Sequence, residues 1–233
     1  MPALVLLLAL VLLASANIAM PTPALALGAV VPLDPWPATP QMTATTGNLA
    51  GTFTVSDGID RLLLVLVCDY DSAGNSGQTF AATYGGKTLT QAFLQNNNRR
   101  QTWIGYLKES DIASRTDDTV TVVVTGVHTQ VRGYIASYVG VDQAAPITAA
   151  NGAYIFNSNN QSIGGPLAVN AGGYAVYGWS GLATRSRTSD SETYSELSDV
   201  TDPGIYNYGV ACKAFAAAGT TNPTVAVHKI SDC

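Results

Sequence analysis

The sequence predicts an all-β chain, an antiparallel β-sandwich or jelly-roll head preceded by an apolar N-terminal helix and a proline-rich linker. Three observations predict it. From residue 42 onward, short runs rich in Val, Ile, Thr, Tyr and Leu are punctuated by Gly, Asn, Asp and Ser every 8 to 15 residues, the cue for a sandwich. No charged side chain precedes Asp34 and no basic one precedes Arg61. Prolines stand at positions 21, 23, 32, 35, 37 and 40. These features divide the 233 residues into an apolar helix over 1–20, a linker or arm over 21–41 and a head over 42–233.

The opening MPALVLLLALVLLASANIAM is apolar throughout, and at 1.5 Å per residue about twenty residues cross a bilayer core of about 30 Å. Three fates are open to it. As a secretory signal it offers small residues at Ala24 and Ala26 for cleavage, although the basic n-region is missing. As a membrane anchor it would be retained. As an assembly helix it would pack through Leu4, Leu7, Leu8, Val11, Leu12 and Ile18, because a helix apolar all round needs lipid or copies of itself as a partner. An apolar helix ahead of a β-rich head resembles the type IV and archaeal pilins, which bundle such helices inside a filament. That resemblance implies a homopolymer that meets the membrane only before assembly. It covers the first stretch alone, and Val5 stands where those proteins carry glutamate.

Proline at the density of PTPALALGAVVPLDPWPATP cannot continue a helix and favours extended conformations. Its apolar stretch, 25–33, predicts packing against protein, either the chain's own head or a neighbour's.

Within the head the clearest strands are RLLLVLVCDY (61–70), TFAATY (79–84), KTLTQAFL (87–94), TWIGYL (102–107), TVTVVVT (119–125), RGYIASYV (132–139), GYAVYGW (173–179), YGVACKAFA (208–216) and TVAVHKI (224–230). Several alternate with period two, which buries one face and wets the other. The run 62–67 does not alternate and predicts a central strand covered on both sides. Gly85-Gly86 reads as a two-residue hairpin loop needing positive φ. Gly172-Gly173 and 157–165 mark further breaks, and the head divides most naturally near 146–160. Helix is expected only as a turn around 109–113.

Taken in order, DRLLLVLV, TYGGKTLTQ, WIGYLKESDI, TDDTVTVVVTG and YVGVDQAAPI resemble a β-sandwich module of bacterial secreted, cell-surface and phage-particle proteins. The marks fall on Tyr84, Gly85, Gly86, Trp103, Tyr106, Gly140, Val141, Asp142, Gln143 and Pro146. The resemblance implies an extracellular adhesive or structural sandwich without catalytic residues.

Composition excludes several functions. Eleven cations against 16 anions, a net charge of −5, cannot neutralise a phosphate backbone, so nucleic acid is not an expected partner. Two histidines, His128 and His228, starve general-base and metal chemistry, and read as surface or strand-end residues. GWSGL around Ser180 lacks the closing glycine of a nucleophile elbow. The carboxylate pairs Asp69/Asp71, Asp117/Asp118, Asp190/Glu192 and Asp199/Asp202 sit in polar stretches that read as solvated turns, which leaves glycoside hydrolysis unsupported. The chain is therefore expected to be no enzyme and to carry no cofactor. DYDSAGN places Asp69, Asp71 and Asn75 as candidate calcium ligands, although Ala73 and Phe80 break an EF-hand pattern.

Three cysteines permit at most one internal pair. Cys212 with Cys233 would pin a C-terminal hairpin by about 3 kcal/mol, while Cys68 suits a buried hydrophobe. A Cys233 cross-link between subunits is a further reading. Tyr134, Tyr138, Tyr174, Tyr177 and Trp179 either fill the core or pave a glycan-stacking face. Asn160 opens a glycosylation sequon in a polar stretch. The expectation is an extracellular structural protein, the repeating subunit of a pilus-like surface filament that binds copies of itself. The alternatives are a secreted glycan-binding or adhesion domain with its leader removed, or a virion structural protein.

Overall fold

The computed structural model describes residues 29–45, 48–71, 74, 77–97, 100–126, 128–152, 160–162, 166–182, 185–190, 194–202, 206–222 and 224–229. The expected N-terminal helix, with Leu4, Leu7, Leu8, Val11, Leu12 and Ile18, lies outside them. Among the described residues no helix is long and apolar enough to cross a membrane.

Numbered along the chain, the strands form mostly antiparallel sheets. The central sheet has the order β1 (Val31–Asp34), β10 (Gln130–Val139), β4 (Leu62–Tyr70), β8 (Arg100–Lys108), β7 (Thr90–Asn97), with β2 (Met42–Ala44) also on β10. A second sheet runs β3 (Leu49–Thr52), β9 (Thr119–Thr125), β5 (Thr79–Tyr84), β6 (Lys87–Thr88). A third runs β13 (Tyr174–Leu182), β16 (Tyr206–Ala214), β15 (Ser195–Asp202). Two smaller sheets join β11 (Asn160–Ser162), β18 (Thr224–Lys229) and β14 (Arg185–Asp190), and β12 (Leu167–Val169) with β17 (Gly219–Thr221). The first two sheets use the chain up to Val139 and the other three use it from Asn160, which is the division expected near 146–160.

The unbroken apolar run of β4 follows from its place. Successive side chains on a strand point to opposite faces. Leu63, Val65 and Val67 therefore join Trp103, Leu107, Val131 and Ile135 against Val120, Val122 and Val124 of β9 and Tyr84 of β5. Leu64, Leu66 and Cys68 join Tyr134, Ala136 and Tyr138 against Tyr208 and Val210 of β16. Each such burial contributes about 1.5–3 kcal/mol, on both faces of one strand. Gly178 of β13 faces the second core: a Cβ there would lie 2.5 Å from Leu66 Cδ2, so only glycine lets β13 come this close to β4.

From Ala29 onward, where it is described, the proline-rich arm packs on its own head. Pro32 in β1 is tolerated because β1 sits at the sheet edge. Trp36, buried, donates from Nε1 to Tyr138 Oη at 2.7 Å, and Gln41 N donates to Gly133 O at 3.0 Å. Met42 fills the space over Gly133 and Gly51, where a Cβ would approach it to 2.6 and 2.8 Å.

The residues behind the sandwich-module resemblance are structural pivots. Gly85 and Gly86 close the β5–β6 hairpin at φ 51° and 77°, and a Cβ on Gly85 would lie 2.4 Å from Asp117 O. Tyr84 Oη donates to Asp118 Oδ1 at 2.9 Å. Gln143 ties three elements together. Its amide nitrogen donates to Arg61 O at 3.1 Å and to Val141 O at 3.0 Å, and its carbonyl accepts from Glu109 N at 2.8 Å. Glu109 opens the helix α1 (Glu109–Ala113), the turn expected there, and accepts from the Arg61 guanidinium at 2.6 and 2.9 Å.

Some expectations are corrected. The run 87–94 is not one strand: Lys87–Thr88 pairs with β5 and Thr90–Asn97 with β8, while buried Leu89 plugs the crossing between two sheets. Asp190, Asp199 and Asp202 lie in strands β14 and β15 rather than in turns. These strands read as loops because they are sheet edges and need no apolar face. Asn160 belongs to β11, paired with Ala226 of β18, not to a loop.

Candidate functional site

One pole of the molecule gathers the end of β4, the starts of β5, β8 and β10 and the end of β9. Antiparallel pairing puts Asp69 of β4 between Gln101 of β8 and Val131 of β10. The alternation that points Leu63, Val65 and Val67 inward also points Asp69 inward, and Gln101 shares that face with Trp103 and Leu107. Trp103 closes the floor, its ring 6.2 Å from Phe80 and its Nε1 donating to Gln91 Oε1 at 3.0 Å. The loop between β9 and β10 supplies His128, and Thr129 N donates to Tyr70 O at 2.7 Å to hold that loop against β4. Gln78, buried, lies against Gly126 on the opposite side.

Asp69, Asp71 and Gln101 are all 0% exposed. The reading of Asp69 and Asp71 as solvated turn residues is therefore wrong, while His128, read as a surface or strand-end residue, stands at a strand end, two residues before β10, with its side chain 5% exposed. Asp69 lies inside β4 and Asp71 directly follows it, both covered from solvent. His128 Nδ1 stands 3.7 Å from Asp69 Oδ2, beyond hydrogen-bond range. Neither carboxylate oxygen of Asp69, nor Gln101 Oε1, nor His128 Nδ1 has a hydrogen-bond partner among the described residues. Burial pushes the Asp69 carboxyl up to about 7, and the charge of Asp71 pushes the same way. The backbone N–H of Tyr70 opposes both without reaching hydrogen-bond geometry.

Asn75, the third calcium candidate, and Cys233 lie outside the described residues. Among the described residues no three of His, Cys, Asp and Glu are placed to hold a metal together. Cys68 and Cys212 are free buried thiols. Burial pushes Cys68 up to about 12, which leaves it no nucleophile at neutral pH. Cys212 Sγ lies 3.2 Å from Tyr174 Oη. Tyr134, Tyr138 and Tyr177 are buried and Tyr174 and Trp179 partly so, with Tyr177 packed 5.8 Å from Trp179 and 4.9 Å from Tyr194. The rings singled out as a glycan platform thus fill the interior.

The opposite pole holds a cavity of about 180 Å³ between the central and third sheets, lined by Leu62, Leu64, Tyr138 and Val176 together with the polar Asp142 and Asn170. The arm meets the head at its lip, where Val30 N donates to Gly172 O at 2.8 Å.

No family model, curated protein or solved structure matches the chain.

Proposed function

We propose that the chain is an extracellular structural protein, the repeating subunit of a surface filament assembled through its apolar N-terminal segment. The observation that carries this reading is the break in chemistry at the arm. Everything before Asp34 lacks charged side chains, while from Val30 onward the arm is committed to its own head through β1, Trp36 and Met42. The described part of the arm begins at Ala29, and Val30 N donates to Gly172 O at 2.8 Å beside the cavity between the central and third sheets. The uncharged stretch 1–28 needs an apolar partner, and copies of itself supply one.

The head suits a structural role. With 12% charged residues the chain can pack against neighbours while desolvating few ions. The aromatic residues singled out above are spent on the core rather than on a stacking face, which weakens the glycan-binding alternative. Intact-mass measurement of the protein from its native source tests the reading. Retention of Ala3 to Met20 supports assembly or membrane anchoring, whereas a chain starting near Leu27 makes the segment a removed leader and takes away the means of polymerisation.

A further inference from the structure

We propose that Asp69, Asp71 and the side-chain carbonyl of Gln101 form a binding site for a hard divalent cation, Ca²⁺, at the pole where β4, β8 and β10 meet. The inference is independent of the filament reading.

Two observations of different kind carry it. The first is that two carboxylates two residues apart, Asp69 and Asp71, are both fully buried, and Asp69 has neither oxygen hydrogen-bonded among the described residues. A carboxylate removed from water without donors is strongly disfavoured, so a fold that buries one must supply a proton or a cation. The second is Gln101, which owes nothing to the acidic pair. Its Nε2 reaches toward Asn96 Oδ1 at 3.5 Å, which leaves Oε1 as the end without a donor, fully buried and directly cross-strand from Asp69. Cross-strand partners hold their Cβ atoms about 4.5–5.5 Å apart, a separation that lets both side chains reach one ion.

The donor set selects the cation. The acceptors are oxygens, carboxylate and amide, as Ca²⁺ prefers, and Ca²⁺ completes a shell of about six to eight with backbone carbonyls and water. Zinc is the poorer fit, because no three of His, Cys, Asp and Glu converge among the described residues and His128 is the imidazole the pole offers. His128, 3.7 Å from Asp69 Oδ2, would stand beside the ion rather than in its shell. Binding would hold Asp69 ionised and release any proton it carries.

The test is thermal melting of the full-length chain, freed of metal with EDTA and then titrated with CaCl₂, with calorimetric titration alongside. Saturating Ca²⁺ is expected to raise Tm by about 5 °C at a hundredfold excess over Kd. Asp69→Asn is expected to lose that rise while melting, without metal, no lower than wild type, since the amide relieves the buried charge. Gln101→Leu is expected to weaken Ca²⁺ about tenfold, and it carries the test should Asp69→Asn fail to fold. Asp57→Asn, on the exposed surface, keeps the full response. The proposal is overturned if millimolar Ca²⁺ leaves Tm and heat unchanged, or if Asp69→Asn and Gln101→Leu respond like wild type. In that event the pole is satisfied internally, by a proton on Asp69 and a turned Gln101 amide.

Discussion

Asp69 is an acidic residue at a position that the alternation of β4 assigns to the interior, and its chemistry follows from that conflict. Its carboxyl titrates near 7 instead of the ordinary 3.8 because it is buried and Asp71 is close by. A raised carboxyl pKa means that the folded state holds the proton more tightly than the unfolded chain. Without metal, its stabilising contribution is complete below about pH 4 and is lost as pH rises toward 7. A carboxyl moved from 3.8 to about 7 corresponds to at most on the order of 4 kcal/mol. Asp71 lies close enough to act on it through its charge, and His128 Nδ1 stands 3.7 Å from its Oδ2. Urea unfolding in EDTA should therefore show Asp69→Asn gaining on wild type between pH 4 and pH 7. Parallel curves would contradict the assignment. The sequence exposes Asp69 and Asp71 as a pair and runs the strand 61–70 through Asp69, but DYDSAGN is rich in turn formers, and nothing local says that both carboxylates are buried. Gln101 and His128 carry no local signal at all, because pairing of distant strands brings them to the pole.

At the scale of elements, the legible parts are those with an apolar face. The strands β4, β5, β9 and β10 show apolar runs or alternation because their neighbours cover one face or two, and α1 shows in its short acidic turn. The strands β14 and β15 are polar edges, and β1 contains a proline, so their sequences resemble loops and only their partners make them strands. The junction of β4, α1 and the corner 140–143 rests on a different device, the forked pair of Arg61 and Glu109 with Gln143 bridging them. Arg61 is 8% exposed and the Glu109 side chain 29%, which places the pair between a surface bridge and a buried one. Glu109→Gln should cost about 2 kcal/mol at pH 7, read from the urea midpoint. The Arg61 hydrogen bonds hold the Glu109 carboxyl below its ordinary 4.5. Its stabilisation is thus present above that value and lost as pH falls through the lowered one. The penalty of Glu109→Gln should shrink in acid, and an equal penalty at pH 3 and pH 7 would refute the role given to the charge.

For the whole molecule, the central sheet is the unit that makes the rest intelligible. It is covered by one sheet drawn from the first half of the chain and by another from the second half, so among the described residues its two faces build two large cores that share β4 and β10, with a smaller cluster around Tyr177, Tyr194 and Ala211 beyond them. Strand spacing alone predicts a sandwich of two layers; the doubly apolar run 62–67 is the local sign that a third layer exists. The described part of the arm stitches onto this body along β10 and begins beside the cavity at one pole, while the buried acidic pair sits at the other pole. We propose that the uncharged stretch 1–28 makes the protein a polymer. Negative-stain microscopy of the protein purified from its native source tests it most directly: filaments of uniform width, decorated by the heads, are the predicted result, and a field of monodisperse single particles would contradict it.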